Sequence, residues 1–273
     1  MRGIFSVFFC ILVTISYAQN WTLEPVGQLP FKTSNNAVAL AKVKDIPYIF
    51  SFSGIDESLD HTGIHLKSGS VNLVAGEAFQ YDDVPDTLGK VASAASTINN
   101  KIYIIGGYHV FNDGSEKSSN LVHCFNPETG KWEEDREQIP TPIDDHVQAV
   151  WEDSLIYVIS GWSDTRNVPD VQIYNPTDNS WKYGTSLPNN NRYMTFGASG
   201  TIIGNTIYYL GGASMTNFFP ATFWLRIGEI NPKNPTEIKW RDSLLSPTDK
   251  YYRSACANVG GLSYLVWGKH IDL

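Results

Sequence analysis

The residues whose types and spacing could do chemistry are Asn36, Lys90, Asp145, His146, Arg192, Tyr193, Tyr252 and Arg253. Each lies just upstream of an apolar run, and the runs recur at an even period. Residues that precede the same strand in successive repeats converge at one end of a closed array, where a ligand meets several repeats together. Two arginines and a lysine among tyrosines suit a carboxylate or sugar acid, because a guanidinium offers a planar fork of donors. Asp145 and His146 are the members of the set that could move a proton. No nucleophilic serine motif or second carboxylate completes a triad, and the sequence contains neither a glycine-rich phosphate loop nor a metal-ligand cluster. No cofactor and no metal are therefore expected. A plainer reading of the same residues is hydrogen bonding between repeats around a wet channel, with Lys90 and Asp144 pairing across neighbours.

The elements that position these groups are written plainly. Lys101-Ile102-Tyr103-Ile104-Ile105-Gly106-Gly107 is a buried strand closed by a glycine pair, and Phe125-Asn126-Pro127-Glu128-Thr129-Gly130-Lys131-Trp132 is a strand, a polar turn and a closing tryptophan. Ile156-Tyr157-Val158-Ile159-Ser160-Gly161 and Ile173-Tyr174-Asn175-Pro176 through Trp181 repeat the pattern, as do Ile207-Tyr208-Tyr209-Leu210-Gly211-Gly212, Ile230-Asn231-Pro232 and Trp240. Eroded copies stand at Tyr48 to Gly54 and Leu262 to Gly268. The second glycine of each pair falls at 54, 107, 161, 212 and 268, so the spacings are 53, 54, 51 and 56 residues.

A period near ~50 with strands, a glycine pair and a closing tryptophan resembles the kelch repeat, whose blades are four-stranded antiparallel sheets of a β-propeller. The resemblance covers residues 29–268 and implies an all-β chain of about five blades. Only five residues follow Gly268, so the last blade is expected to be incomplete and the propeller truncated at its C-terminus, with a genuine five-bladed ring as the competing reading. Residues 21–30, with Trp21 and Leu29-Pro30, read as the end of a blade that closes the ring from the N-terminal side. Residues 55–84 read as an irregular, loop-like stretch carrying Asp56, Glu57, Asp60, His61 and His65. The closing tryptophans read as blade core, whereas Trp162 and Trp224 sit near loops. Residues 220–226 read as a loop leading into an outer strand.

Residues 1–18 read as a secretory signal peptide: Arg2 near the start, an apolar run over 4–15, and Ser16-Tyr17-Ala18 before a cut ahead of Gln19. The expected product is a secreted or periplasmic protein, residues 19–273, with no membrane insertion after signal removal. A net charge of −8 argues against nucleic acid as a partner. Removal of the signal leaves Cys124 and Cys256, which the blade register places too far apart to bridge.

A repeat specifies a fold and leaves the activity open. The first functional expectation is a binding module for a glycan or protein ligand at the channel mouth and loops. Secreted bacterial kelch proteins similar to this chain include sialic-acid mutarotases. That resemblance implies the alternative, a sugar mutarotase or epimerase in which Arg192 and Arg253 hold the carboxylate while Asp145 or His146 moves protons. Galactose oxidase has a kelch propeller too, but its copper site of two tyrosines, two histidines and a tyrosine joined to cysteine has no matching set here.

Overall fold

The computed structural model describes residues 24–214, 224–244, 251–259 and 262–266. The expected signal peptide, Trp21, residues 220–223, Trp267 and Gly268 lie outside the described residues. The first blade is β1 (Ala37–Val43), β2 (Ile46–Ile55), β3 (Ile64–Asn72) and β4 (Ala78–Tyr81). In the second, β5 (Ala94–Ile98) and β6 (Lys101–Ile105) lead through a small hairpin, β7 (Tyr108–Val110) and β8 (Glu116–Ser118), to β9 (Val122–Asn126) and β10 (Lys131–Trp132). The third repeats this with β11 (Val147–Trp151), β12 (Leu155–Ile159), the hairpin β13 (Trp162–Ser163) and β14 (Arg166–Asn167), then β15 (Val171–Asn175) and β16 (Ser180–Tyr183). The fourth is β17 (Phe196–Ile203), β18 (Thr206–Ala213), β19 (Trp224–Asn231) and β20 (Asn234–Leu244). Next come β21 (Ala255–Val259) and β22 (Leu262–Val266), which pair as a two-stranded sheet. Each full blade is antiparallel in meander order, and the innermost strands pack β1 on β5, β5 on β11, β11 on β17 and β17 on β21.

The second strands of the second and third blades are apolar from Ile102 to Ile105 and from Ile156 to Ile159 because they are covered on both faces. Successive side chains of a strand point to opposite faces. Ile102 and Ile104 of β6 enter the core shared with the first blade, while Tyr103 and Ile105 enter the core shared with the third. Ile156 and Val158 of β12 face the second blade, and Tyr157 and Ile159 face the fourth. Blade-on-blade burial of these alternating side chains is the main cohesion of the ring.

Two polar devices set the spacing between blades. The indoles of Trp132, Trp181 and Trp240 each donate to a carbonyl of the segment entering their own blade, on Asp82, Glu137 and Thr185, at 2.9, 2.8 and 2.9 Å. The second glycine of each pair donates its N–H to the next blade: Gly54 to Lys90, Gly107 to Ile143, Gly161 to Thr195 and Gly212 to Tyr251. The first glycine position is left-handed, and at Gly106 an added Cβ would lie 2.2 Å from the Ile143 carbonyl. Ser160 occupies that position in the third blade at φ 52, its hydroxyl bonded to the Thr195 carbonyl at 3.0 Å.

The stretch at 55–84 is more regular than its sequence suggests, since it contains both outer strands of the first blade. That blade has no closing tryptophan; Ala78 holds the paired position, and Tyr81 instead faces the second blade, 5.8 Å from Phe50 and 5.1 Å from Phe125. His61 and His65 do not converge: His61 lies in a short 3-10 turn beside Asp60, and His65 is on β3. Among the described residues no cluster of metal-ligating side chains occurs. Cys124 is buried on β9 and Cys256 lies on β21, both as free thiols.

Candidate functional site at the channel mouth

The chain enters each innermost strand through a left-handed residue, and these residues form an arc around the channel. Asn35, Ala92, Asp145 and Arg253 have φ between 48 and 56, and Gly197 has φ 66. Their main chains are joined blade to blade: the N–H of Ala92 donates to Asn35, Asp145 to Ala92, Gly197 to Asp145 and Arg253 to Gly197, at 2.8–3.2 Å. This register shows which side chains share the mouth. Two of its five places carry a charged side chain, Asp145 and Arg253, a third carries the polar Asn35, and Ala92 and Gly197 are small.

Arg253 turns its guanidinium to the Asp145 carboxylate, Nε to Oδ1 at 2.9 Å and Nη2 to Oδ2 at 2.5 Å, while its Cζ stands 5.2 Å from the centre of the Tyr252 ring, which packs on Gly197. The side chain of Asp145 is 8% exposed and that of Arg253 38%. Burial alone would lower the Arg253 pKa, but the Asp145 charge and hydrogen bonds carry it above its ordinary value. Tyr108 also faces this pair; burial raises its phenol pKa, and the adjacent guanidinium opposes that rise.

Asp144 lies one place before Asp145 and is 3% exposed, with Ser118 Oγ donating to its Oδ2 at 2.5 Å. Burial pushes its carboxyl up to about 8; Ser118 opposes the shift, and the charges of Asp145 and Glu116 add to it. At neutral pH it is a protonated acid next to an ion-paired one. Ser118 is itself held by Asp164, whose N–H donates to Ser118 Oγ at 2.8 Å and whose carboxylate accepts the Ser118 N–H at 3.0 Å. Trp162 exchanges two backbone hydrogen bonds with Asp144 and meets Phe196 edge-on at 5.4 Å; Phe196 meets Tyr252 at 5.9 Å. Farther along the innermost strands runs a cavity of about 250 Å³, lined by Leu40, Thr97, Gln148, Val150, Thr201 and Asn258 among others.

The structure brings together only part of the set marked in the sequence. Asp145, Tyr252 and Arg253 meet at the mouth. His146 follows Asp145, but its Nε2 is bonded to Gln148 at 3.1 Å and its Nδ1 is buried without a partner; burial pushes the imidazole down to about 4, so it is neutral. Asn36 turns to Ser51 at 2.7 Å within its own blade. Tyr193 is core between the third and fourth blades, its carbonyl accepting from Tyr209.

Arg192 is not at the mouth. Its place in the repeat is three residues ahead of Thr195, the equivalent of Lys90 and Ile143, and its side chain bonds Asp242 on the outermost strand at 3.0 Å, over the Trp224 ring at 4.5 Å. The expected clamp of Arg192 and Arg253 on one carboxylate is therefore corrected. The pairing of Lys90 with Asp144 is corrected as well. Lys90 aligns with Ile143 and is fully buried, its Nζ 3.1 Å from Asp86 Oδ2, an oxygen also 3.4 Å from His123 Nε2 and 3.8 Å from His109 Nε2. Burial opposes the Asp86 charge, yet His123 and Lys90 hold its carboxyl far below the ordinary range.

Sequence reasoning passed over Tyr108, Ser118 and the protonated state of Asp144. The available signal was the aromatic residue directly after the second glycine, Tyr108 and Trp162, in two successive repeats. Another unmarked charge is Arg226 on β19, fully buried, donating to the Arg192 and Gly211 carbonyls at 2.5 and 2.6 Å.

Residues 71–228, more than half of the chain, match the family described as the KLHDC2/KLHL20/DRC7 Kelch-repeats domain. The chain belongs to that kelch-repeat family. Kelch-like protein 36 of Mus musculus is 29% identical over 111 residues, covering 41% of this chain and 17% of that protein. N-acetylneuraminate epimerase of Pasteurella multocida is 31% identical over 147 residues, 51% of this chain and 35% of that protein. The chain thus spans well under two thirds of the length of these relatives. The solved structure of YjhT superposes with a TM-score of 0.67 at 16% identity, over 88% of this chain and 73% of that one, and shares the propeller fold.

Proposed function

We propose that this kelch propeller is a binding module that takes a protein segment on its channel-mouth face. The observation that carries the reading is the mouth itself, where Asp145, Arg253, Tyr252 and Tyr108 meet beside two projecting hairpins. Exposed apolar side chains lie on loops of the same face: Leu59 between β2 and β3, Leu88 before β5, and Phe111 in the β7–β8 hairpin. Such apolar anchors around a polar centre suit a peptide better than a small sugar. The apolar run at 4–15 supports an exported location for this binding. The test is a parallel screen of the chain and its Tyr252→Ala variant against a random-peptide display library and a glycan array. Peptides enriched on the native chain and lost on the variant are expected. Glycans alone, lost on the same variant, would overturn the protein reading in favour of carbohydrate.

A second reading, sugar isomerisation, is favoured by Asp144, a protonated acid beside a second carboxyl group. One relative is named an N-acetylneuraminate epimerase. Against a sugar-acid substrate stands the commitment of the Arg253 fork to Asp145. Anomer equilibration of N-acetylneuraminate followed by proton NMR decides: a rate above buffer that falls in Asp144→Asn supports isomerisation, and a rate equal to buffer ends it.

A further inference from the structure

The mouth already holds one guanidinium, and its seat has the chemistry of a receptor. A carboxylate meets the fork in bidentate fashion, a phenol ring lies against one side, and the Tyr108 hydroxyl faces it. These are the contacts by which proteins recognise an arginine or lysine side chain from another molecule. The occupant comes from two repeats away, 108 residues along the chain, and the Tyr252 ring beside it rests on Gly197, where an added Cβ would lie 2.4 Å from the ring. With 38% of its side chain exposed, it can be exchanged from solvent.

Resting on the protein-binding reading above, we propose that Asp145 receives a basic side chain of the partner protein, which takes the seat that Arg253 fills in the free chain. The surroundings discriminate by charge. Glu116 and Asp164 flank the Ser118–Asp144 bond, so an anionic group arriving here would meet carboxylates and strip Asp145 of its counter-ion. A cationic group keeps Asp145 paired throughout, while Arg253 moves into water at little loss. Affinity then comes from the rest of the segment against Leu59, Leu88 and Phe111, and the seat supplies the selection for a basic residue.

Butylguanidinium and its neutral isostere butylurea are the probes, titrated by calorimetry and NMR into the full chain. In the native chain, saturable binding of butylguanidinium at Tyr252 and none of butylurea is expected. Arg253→Ala should bind butylguanidinium at least about tenfold more tightly, since the internal competitor is gone. Asp145→Asn should abolish binding, and added salt should weaken it. Arg253→Gln, which keeps the length of the side chain, serves if the alanine variant does not fold. Equal binding of butylurea, no gain in either Arg253 variant, or binding retained in Asp145→Asn would each overturn the proposal. Mouth-directed peptides that lack a basic residue would sink this inference and leave protein binding standing. Butylguanidinium binding with no peptide selected would leave the seat and remove the protein reading.

Discussion

Asp144 should make this propeller less stable as pH rises through the neutral range, and Asp144→Asn should remove that dependence. The carboxyl is 3% exposed, takes its side-chain hydrogen bond from Ser118, and faces Asp145, Glu116 and Arg253. Burial raises it from 3.8 to about 8 in the folded chain. Between those values the folded chain keeps a proton that the unfolded chain has released, so each added pH unit favours unfolding. At about 1.4 kcal/mol per unit, the ceiling from pH 5 to pH 8 is about 4 kcal/mol. Asparagine cannot ionise, and its amide oxygen can still accept from Ser118. Carboxyls held low, such as Asp86, push stability the opposite way in acid, but they are common to both proteins and cancel in the difference. Urea unfolding of the native chain and the variant at pH 5, 6, 7, 8 and 9 gives that difference directly. The native chain should lose stability relative to Asp144→Asn steadily up to pH 8 and level off above it. Parallel curves across the range would refute the assignment of a neutral Asp144.

The interfaces between blades offer two further checks. Gly106→Ala should lose on the order of 3 kcal/mol in chemical denaturation, because the new Cβ would sit 2.2 Å from the Ile143 carbonyl at φ +63; Gly114→Ala, at φ +79 with nothing within 4 Å, should lose only about 1 kcal/mol. Equal losses would mean that backbone angle, and not the approach of the next blade, accounts for the glycine. Lys90→Met should lose roughly 3–5 kcal/mol by leaving Asp86 buried without its ammonium, and Lys90→Met/Asp86→Asn should recover much of it. A single variant within about 1 kcal/mol of the native chain would show that the pair contributes no net stability.

Much of the blade was legible because its signals are local. The all-apolar runs Ile102 to Ile105 and Ile156 to Ile159, the glycine pairs and the closing tryptophans each report a short-range requirement: burial on both faces, a left-handed turn, or an indole reaching one carbonyl. Where the first blade has Ala78 in place of the closing tryptophan and a different turn, the strands at Ile64 and Ala78 read as loop. The candidate site was legible only in part. Asp145, Tyr252 and Arg253 were found, but Arg192 was placed with them because a charge near a strand start looks equivalent until the register is counted to the residue. The hydrogen-bonded series from Asn35 to Arg253 places the fourth blade's equivalent of Arg253 at Gly197, and Arg192 five residues earlier lies over the outer strands.

The sequence by itself determined that this is a repeating β-sheet protein, where its second strands lie, and which glycines and tryptophans close the second, third and fourth blades. Those follow from periodicity and from backbone angles that few residues tolerate. The tertiary structure decided the chemistry. Whether Arg253 is a free cation or half of an ion pair, whether Asp144 keeps its proton, and whether Lys90 faces Asp86 or Asp144 depend on what lies across an interface between segments far apart in the chain. Charge states are set by burial and by neighbours in space, and neither is written in the order of the residues.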